Sequence, residues 1–212
     1  GGRGRWSGRQ TEWPGARPLG LAPELGPDCG GLVEWHVENV VKLLCFYHPD
    51  DSDDGKAQQE ATVKRLFTAA RRNRLEFLLE IIPSKVAPVD DMSTAKVIER
   101  FYEIGVYPDW WKLEPLKTTE AWRNACEAIT RNDPHTRGIV VLGLDAPAEE
   151  LEASLKVAAD FDLVKGFAIG RTILGDVARQ WLANKISDAE AITEMAKRYR
   201  GFCDLWDRLR QK

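Results

Sequence analysis

Short apolar runs alternate with amphipathic helical segments over most of this chain. Five runs are long enough to form strands, and they occupy residues 40–47, 77–82, 108–115, 138–144 and 164–170. Between the runs, apolar residues recur at the three-four spacing of a helix. Strands that are apolar on both faces and separated by helices are typical of a parallel sheet covered by helices. The pattern therefore predicts an α/β fold, with a sixth, weaker strand near Trp6 to Glu12.

Helix boundaries are also marked in the sequence. Ser93 is a candidate N-cap for a helix that ends at Gly105, and Thr118 or Thr119 for the next helix. Asp145 and Pro147 are expected to open a further helix. The last helix is predicted to begin with a capping box formed by Ser187 and Glu190.

Two architectures fit this order of elements. One is a (βα)8 barrel, for which five or six strands are too few to close the sheet. The other is an open doubly wound sheet, although no glycine-rich nucleotide-binding turn follows the first strand. Both architectures place functional residues at the carboxyl ends of the strands.

Composition narrows the function classes. The 212 residues carry a net charge of -3, which argues against an electrostatic nucleic-acid-binding protein. No apolar run is long enough to span a bilayer, and the first ten residues lack the apolar core of a signal peptide. The four cysteines match no metal or redox motif, and we expect Cys45 and Cys126 to be small residues of the core. We expect one cytoplasmic domain over residues 1–212, with a Gly- and Pro-rich segment at residues 1–39.

Lys112 lies in the middle of the apolar run at residues 108–115. Side chains alternate along a strand, so Lys112 shares a face with Trp110 and Glu114. A buried lysine can lose its proton, and the neutral amine attacks carbonyl carbons to form Schiff bases. The alternative is a lysine that pairs with Glu114 or extends to solvent at the strand end.

Two further strands carry a charged residue in an otherwise apolar run, Lys42 and Glu80. Three such residues in successive strands suggest a shared polar centre, in which Glu80 would exchange protons with Lys112. The alternative is a Lys–Glu–Lys ion-pair triad that only fixes the packing of the strands.

The last two strands predict an anion site. Gly143 ends one strand, and Gly166, Gly170 and Arg171 end the other. Glycines let backbone amides approach a phosphate, and an arginine binds it through two hydrogen bonds. Alternatively, the glycines relieve crowding and Arg171 pairs with Asp176.

His48 follows the first apolar run and shares the face of Lys42, so we count it among the candidate substrate-binding residues. Four aspartates lie close after it, at positions 50, 51, 53 and 54. Such a cluster could hold a metal ion, but it is more often a solvated loop and helix cap. We expect no metal site.

Five segments together resemble one protein family over essentially the whole chain. These segments are VVKLLCFYHPDD, FLLEIIP, PDWWKLEP, RGIVVLGLDAP and VKGFAIGRTILGD. They resemble the aldolase-like, DUF2090-like domain of bacterial myo-inositol catabolism, which is often fused to the sugar kinase 5-dehydro-2-deoxygluconokinase. The resemblance to tagatose-1,6-bisphosphate aldolase is more distant.

This resemblance implies a (βα)8-barrel class I aldolase. Lys112 would be the Schiff-base lysine, Glu80 the acid/base and Lys42 a neighbouring cation, while Gly143, Gly170 and Arg171 would hold the substrate phosphate. The implied reaction is retro-aldol cleavage of 5-dehydro-2-deoxy-6-phosphogluconate to dihydroxyacetone phosphate and malonate semialdehyde. It uses neither metal nor cofactor, because the protonated imine accepts the electrons.

The chain departs from the family pattern in one respect. The family has two more strands ahead of Trp6, the first with an Asp-His-Arg motif, so this chain would cover strands three to eight. The alternatives to a lyase are a non-catalytic phosphosugar-binding domain that regulates a carbohydrate kinase and a structural fragment that folds with another chain. The expected partners are a phosphorylated sugar, a carbohydrate kinase domain and a second copy of the chain.

Overall fold

The computed structural model describes residues 7–15 and 17–211, which form two compact units. Of these residues, the first unit comprises 7–15, 17–112 and 120–138, and the second comprises 113–119 and 139–211. Trp6, where the weak strand was predicted to begin, lies outside the described residues. Within the described part of the chain, no helix is long and apolar enough to cross a membrane.

The described residues form six strands and six α-helices, and strands and helices alternate over residues 39–182. The strands are β1 (Ser7–Gln10), β2 (Asn39–Cys45), β3 (Glu76–Ile81), β4 (Trp110–Leu113), β5 (Gly138–Leu142) and β6 (Val164–Ala168). The helices are α1 (Asp53–Arg72), α2 (Ser93–Glu103), α3 (Thr119–Asn132), α4 (Ala148–Ala158), α5 (Arg171–Leu182) and α6 (Asp188–Arg210). Three short 3₁₀ turns occur at Pro23–Leu25, Gly30–Glu34 and Pro83–Lys85. The predicted α/β class, including the weak first strand, is confirmed.

The strands follow one another in the sheet in chain order, β1-β2-β3-β4-β5-β6. The pairings of β1 with β2, β2 with β3 and β5 with β6 are parallel. A doubly wound sheet reverses its strand order at a switch point, and this order has no reversal. The topology is therefore that of a partial TIM-barrel-like fold, and the assignment of these strands as three to eight stays a prediction.

The two faces of the sheet in the first unit differ in burial. Along β2, Val41, Leu43 and Cys45 are fully buried, and α1 packs on β2 and β3. Lys42 and Leu44, which alternate with them, are only partly buried. β4 repeats the pattern, with Trp111 and Leu113 buried and Trp110 and Lys112 partly exposed. Ionisable side chains can therefore be accommodated on the more open face, away from the helices.

The predicted helix starts are close to those observed. The Ser187–Glu190 capping box of α6 is present, and α4 begins directly after Pro147. Ser93 is not a cap, because Met92 occupies that position and the Ser93 hydroxyl bonds with the Asp90 carboxylate. The run predicted as a strand to Leu144 ends at Leu142, since Leu144 adopts the left-handed backbone conformation, with φ of 51°, that terminates a strand.

A hydrogen-bonded cluster built on the buried Tyr47 joins the end of β2 to α1 and α2. The Tyr47 hydroxyl donates to Glu60 Oε1 at 2.6 Å, and Arg100 donates to both Glu60 oxygens at 2.9 Å. Burial raises the pKa of Glu60, but the hydrogen bonds from Arg100 and Tyr47 outweigh burial and hold it below its usual range. The cluster therefore stabilises the fold more when Glu60 is ionised than when it is protonated.

We expect the stabilising effect of Glu60 to disappear in acid. A carboxyl with a depressed folded pKa contributes stability above its unfolded pKa of about 4.3 and loses it as the pH falls through the folded value. Urea unfolding of the native chain and Glu60→Gln should show a difference in unfolding free energy at pH 6 that shrinks at pH 3. For Glu152→Gln, on the exposed face of α4, no such pH dependence is expected. A Glu60 difference that stayed constant between the two pH values would contradict this linkage.

Candidate active site

Four ionisable side chains of alternating charge form a continuous row in the first unit. Lys112 Nζ lies 3.0 Å from Glu80 Oε1, and the other oxygen of that carboxylate, Oε2, lies 2.7 Å from Lys42 Nζ. Lys42 Nζ also lies 2.8 Å from Glu12 Oε1. We call Glu12, Lys42, Glu80 and Lys112 the charged row. The structure thus brings together the three residues predicted as catalytic.

The parallel register explains how Lys42 and Glu80 meet. Lys42 of β2 lies opposite Leu78 of β3, and Leu44 lies opposite Glu80. Lys42 and Glu80 therefore belong to the same set of alternating positions and point to the same face of the sheet. Neighbouring strands are about 4.8 Å apart, which a lysine spans easily.

Burial is greatest for the two carboxylates. The side chains of Glu12 and Glu80 are 1% and 7% exposed, whereas those of Lys42 and Lys112 are 16% and 18% exposed. Each buried carboxylate has a lysine partner within 3 Å, so neither charge is left uncompensated. The row carries two positive and two negative charges when all four groups are ionised. Lys112, at one end of it, retains some solvent access.

This geometry suits Schiff-base chemistry. A lysine that adds to a carbonyl must lose a proton, and the resulting carbinolamine must gain one to release water. The Glu80 carboxylate lies within hydrogen-bonding distance of Lys112 Nζ and can take part in both transfers. The same contacts also fit the structural ion-pair triad considered above, so the catalytic roles stay predictions.

Glu12 is the member of the row that sequence reasoning missed. It lies two residues beyond β1, where an isolated antiparallel bridge pairs it with Leu21. Glu12 and Gln10 belong to the same set of alternating positions, and Gln10 lies opposite Lys42. The sequence pattern of this segment indicates a weak strand, and only the register between β1 and β2 shows that Glu12 reaches Lys42.

Both hydrogen bonds of the His48 ring are with backbone groups. Its side chain is 2% exposed, its Nδ1 accepts a hydrogen bond from the Asp50 amide at 3.2 Å, and its Nε2 lies 3.0 Å from the Pro88 carbonyl oxygen. Since Nδ1 accepts, Nε2 carries the hydrogen and donates to Pro88. Both ring nitrogens are therefore engaged in shaping the loop, and a substrate contact by His48 stays a prediction.

Two of the four aspartates after His48 lie at the start of α1, while Asp51 pairs with Arg17. The Ser52 hydroxyl accepts from the Gly55 amide, and Asp53 and Asp54 lie in the first turn. Carboxylates in this position interact favourably with the helix dipole. Among the described residues, no group of three or more His, Cys, Asp or Glu side chains is arranged to hold a metal ion.

Two of the four cysteines, Cys45 and Cys126, are unsuited to nucleophilic roles. Cys45 is fully buried, and burial raises the pKa of its thiol. Cys126 is only partly buried, but burial raises the pKa of its thiol to about 12. Because the thiolate is the reactive form, both thiols are inert near neutral pH.

The predicted anion-binding residues lie in the second unit. Gly170 is the N-cap of α5 and Arg171 is its first residue, where backbone amides favour an anion. A Cβ atom on Gly166 or Gly170 would have no atom within 4 Å, whereas one on Gly143 would come within 3.2 Å of the Ile169 side chain. Gly143 therefore does relieve crowding.

Arg171 does not pair with Asp176, the alternative considered from the sequence. Asp176 binds Arg198 of α6, while Arg171 is 74% exposed and lies 3.5 Å from Asp145. A weak pair at an exposed position leaves the guanidinium accessible. Phosphate binding by Arg171 and the glycines stays a prediction.

Comparison with known proteins identifies a family and a fold. The model of the family described as "Uncharacterized protein conserved in bacteria (DUF2090)" matches residues 1–210. No curated protein matches the chain.

Two solved structures are similar. Cgl0159 from Corynebacterium glutamicum is 17% identical with a TM-score of 0.60; the match covers 92% of this chain and 63% of that one. Fructose-bisphosphate aldolase from Plasmodium falciparum is 17% identical with a TM-score of 0.63, covering 95% of this chain and 68% of that one. At this identity the likeness shows an aldolase-like fold. The chain spans less than two thirds of the length of the Corynebacterium protein.

Proposed function

The chain belongs to the DUF2090 family, and we propose that it is a class I aldolase-type carbon–carbon lyase with Lys112 as its Schiff-base residue. The observation that carries the proposal is the contact of 3.0 Å between Lys112 Nζ and a buried Glu80 carboxylate whose other oxygen binds Lys42. The Plasmodium protein, whose fold this chain resembles, is named as an aldolase, and this supports the same reaction class.

The proposed reaction begins with addition of the Lys112 amine to a ketone carbonyl. Glu80 accepts the proton that the amine releases and returns it as the carbinolamine hydroxyl leaves as water, which yields a protonated imine. Removal of the proton from the β-hydroxyl group then breaks the bond between the α and β carbons. The bonding electrons pass to the imine nitrogen, so an aldehyde leaves and an enamine remains. Protonation of the enamine carbon and hydrolysis of the imine release the ketone product and regenerate Lys112.

The substrate that we propose is 5-dehydro-2-deoxy-6-phosphogluconate, as the resemblance to the myo-inositol catabolic domain implies. Its C5 ketone would form the imine, and cleavage between C3 and C4 would give malonate semialdehyde and dihydroxyacetone phosphate. Anion binding by Gly143, Gly166, Gly170 and Arg171 is a separate part of the proposal and concerns the second unit alone. Association with a carbohydrate kinase is proposed on the same resemblance.

Reductive trapping tests the proposal directly. We expect the chain, incubated with dihydroxyacetone phosphate and sodium borohydride, to gain one covalent adduct per molecule, because reduction converts an imine into a stable secondary amine. Peptide mass spectrometry should locate the adduct on Lys112. Protein treated with borohydride without the ligand is the control.

The outcomes separate the lyase from its alternatives. An adduct on Lys112 supports the lyase. Saturable binding of dihydroxyacetone phosphate without any adduct would favour a non-catalytic phosphosugar-binding domain, with the charged row as a structural ion-pair network. Release of malonate semialdehyde from 5-dehydro-2-deoxy-6-phosphogluconate, with no cleavage of fructose 1,6-bisphosphate, would support the substrate assignment.

A further inference from the structure

We propose that Glu12 is a positioning residue for the Schiff-base lysine and acts on it through Lys42 and Glu80. The inference rests on the proposed lyase function and adds a residue that the family resemblance did not assign. Glu12 touches neither Lys112 nor Glu80 in the contacts of the charged row; its ion-pair partner there is Lys42 Nζ, at 2.8 Å.

The backbone around Glu12 is held rigidly against β2. The Thr11 amide donates to the Lys42 carbonyl oxygen at 3.1 Å, and the Thr11 hydroxyl donates to the same oxygen at 2.8 Å. On the other side, the Ala22 amide donates to the Thr11 carbonyl oxygen at 2.8 Å. Hydrogen bonds on both sides fix the strand position from which the Glu12 side chain extends to Lys42 Nζ. A side chain held in this way is preorganised for one partner.

Glu12 determines how the Glu80 carboxylate is shared. Lys42 Nζ has two carboxylate acceptors, Glu12 Oε1 at 2.8 Å and Glu80 Oε2 at 2.7 Å. Because Glu12 provides the first, Lys42 needs only one oxygen of Glu80, and the other stays directed at Lys112. Without the Glu12 charge, two ammonium groups would compete for a single buried carboxylate. Glu80 would then shift towards Lys42 and serve Lys112 less well as a proton acceptor.

The burial of Glu12 argues against an incidental surface ion pair. Its side chain is 1% exposed, and a carboxylate that deeply buried is costly unless it is paired. The Thr11 amide also donates a hydrogen bond to Glu12 Oε2, at 3.3 Å. The Glu12–Lys42 ion pair lies in the same row as Lys112. Its burial at this cost supports a role in ordering that row.

The test compares Glu12→Gln with the native chain by borohydride trapping at saturating dihydroxyacetone phosphate. We expect the rate of adduct formation on Lys112 to fall about ten- to hundredfold, with the half-saturating ligand concentration changed less than about threefold. Glu12→Asp, which retains the charge on a shorter side chain, should recover part of the rate. Glu60→Gln is the control, since it removes a partly buried, arginine-paired carboxylate of the same unit that lies outside the charged row.

Action through Lys42 is tested with a double-mutant cycle. In a Lys42→Met background, Glu12→Gln should slow trapping no further, because the residue through which Glu12 acts is already absent. In urea unfolding, Lys42→Met should lower the midpoint by leaving Glu12 buried without its lysine partner, and the double variant should regain part of that loss. If Glu12→Gln alone fails to fold, the double variant, in which both members of the pair are neutral, can still be compared with Lys42→Met.

The outcomes distinguish this inference from the proposed function. If the native chain forms the adduct and Glu12→Gln forms it at the native rate, the positioning role is overturned and the lyase stands. If Glu12→Gln and Lys42→Met slow trapping additively, action through Lys42 is overturned. If the native chain forms no adduct, the lyase proposal and the positioning role both fail, and the unfolding cycle then assigns the Glu12–Lys42 pair a purely structural role.

Discussion

Lys112→Arg is expected to abolish the borohydride-trapped adduct and to lower any lyase activity by at least about a thousandfold. Arginine retains the positive charge beside Glu80, so the charged row stays electrically balanced. The guanidinium does not form an imine with a ketone, and only the covalent step is therefore removed. Trapping followed by intact-protein mass spectrometry and an assay of aldehyde release measure both effects.

An exposed lysine provides the control for this variant. Lys85, in the 3₁₀ turn after β3, is exposed and lies outside the charged row, so Lys85→Arg should trap ligand at the native rate. If Lys112→Arg still gained one adduct and peptide mapping placed it on Lys42, the roles of the two lysines in the row would be exchanged. An adduct distributed over many surface lysines would indicate nonspecific amine chemistry and contradict the proposal.

Glu80→Gln is expected to reduce both stability and activity. Glu80 is the only member of the charged row that contacts both lysines, and its side chain is almost fully buried. The substitution leaves two positive charges around a neutral amide, and we expect the free energy of unfolding to fall by about 3–5 kcal/mol. Because the proton acceptor for Lys112 is also lost, trapping should slow by about a hundredfold or more.

The same strand offers a matched comparison. Glu76, at the start of β3, pairs with Arg137 at 2.8 Å but is considerably more exposed than Glu80. Glu76→Gln should cost no more than about 1–2 kcal/mol and leave trapping unchanged. Urea unfolding and trapping of the two variants side by side measure the difference. Equal loss of stability with full retention of trapping in Glu80→Gln would identify Glu80 as a structural ion-pair partner only.

Much of the fold follows from local patterns in the sequence. Apolar runs interrupted by single charged residues predicted β2, β3 and β4, because burial on both faces of a parallel strand leaves little tolerance for polar residues. The capping box at Ser187 predicted the start of α6, since it depends only on residues three positions apart. The strand ending at Leu142 was less well predicted, because the left-handed conformation of Leu144 carries no apolar-pattern signal.

The site was predicted only in part, for a physical reason. The alternation of side chains along each strand predicted that Lys42, Glu80 and Lys112 could share one face of the sheet. Alternation is a local property of a strand, so it can be inferred from the sequence. Which oxygen of Glu80 binds which lysine depends on the register between strands, and register is set by tertiary packing. His48 illustrates the limit, since the Pro88 carbonyl that occupies its Nε2 lies 40 residues away in the sequence.

The sequence by itself determined the α/β class, the succession of strands and helices along the chain and the identity of three charged residues within the strands. Hydrophobic periodicity and single charged residues in apolar runs are patterns of a few residues, so they can be recognised in one sequence. Only the tertiary structure decided that Glu12 completes the row and that Asp176 binds Arg198 rather than Arg171. Both contacts join segments at least 22 residues apart, so they depend on how the strands and helices pack and not on any local pattern.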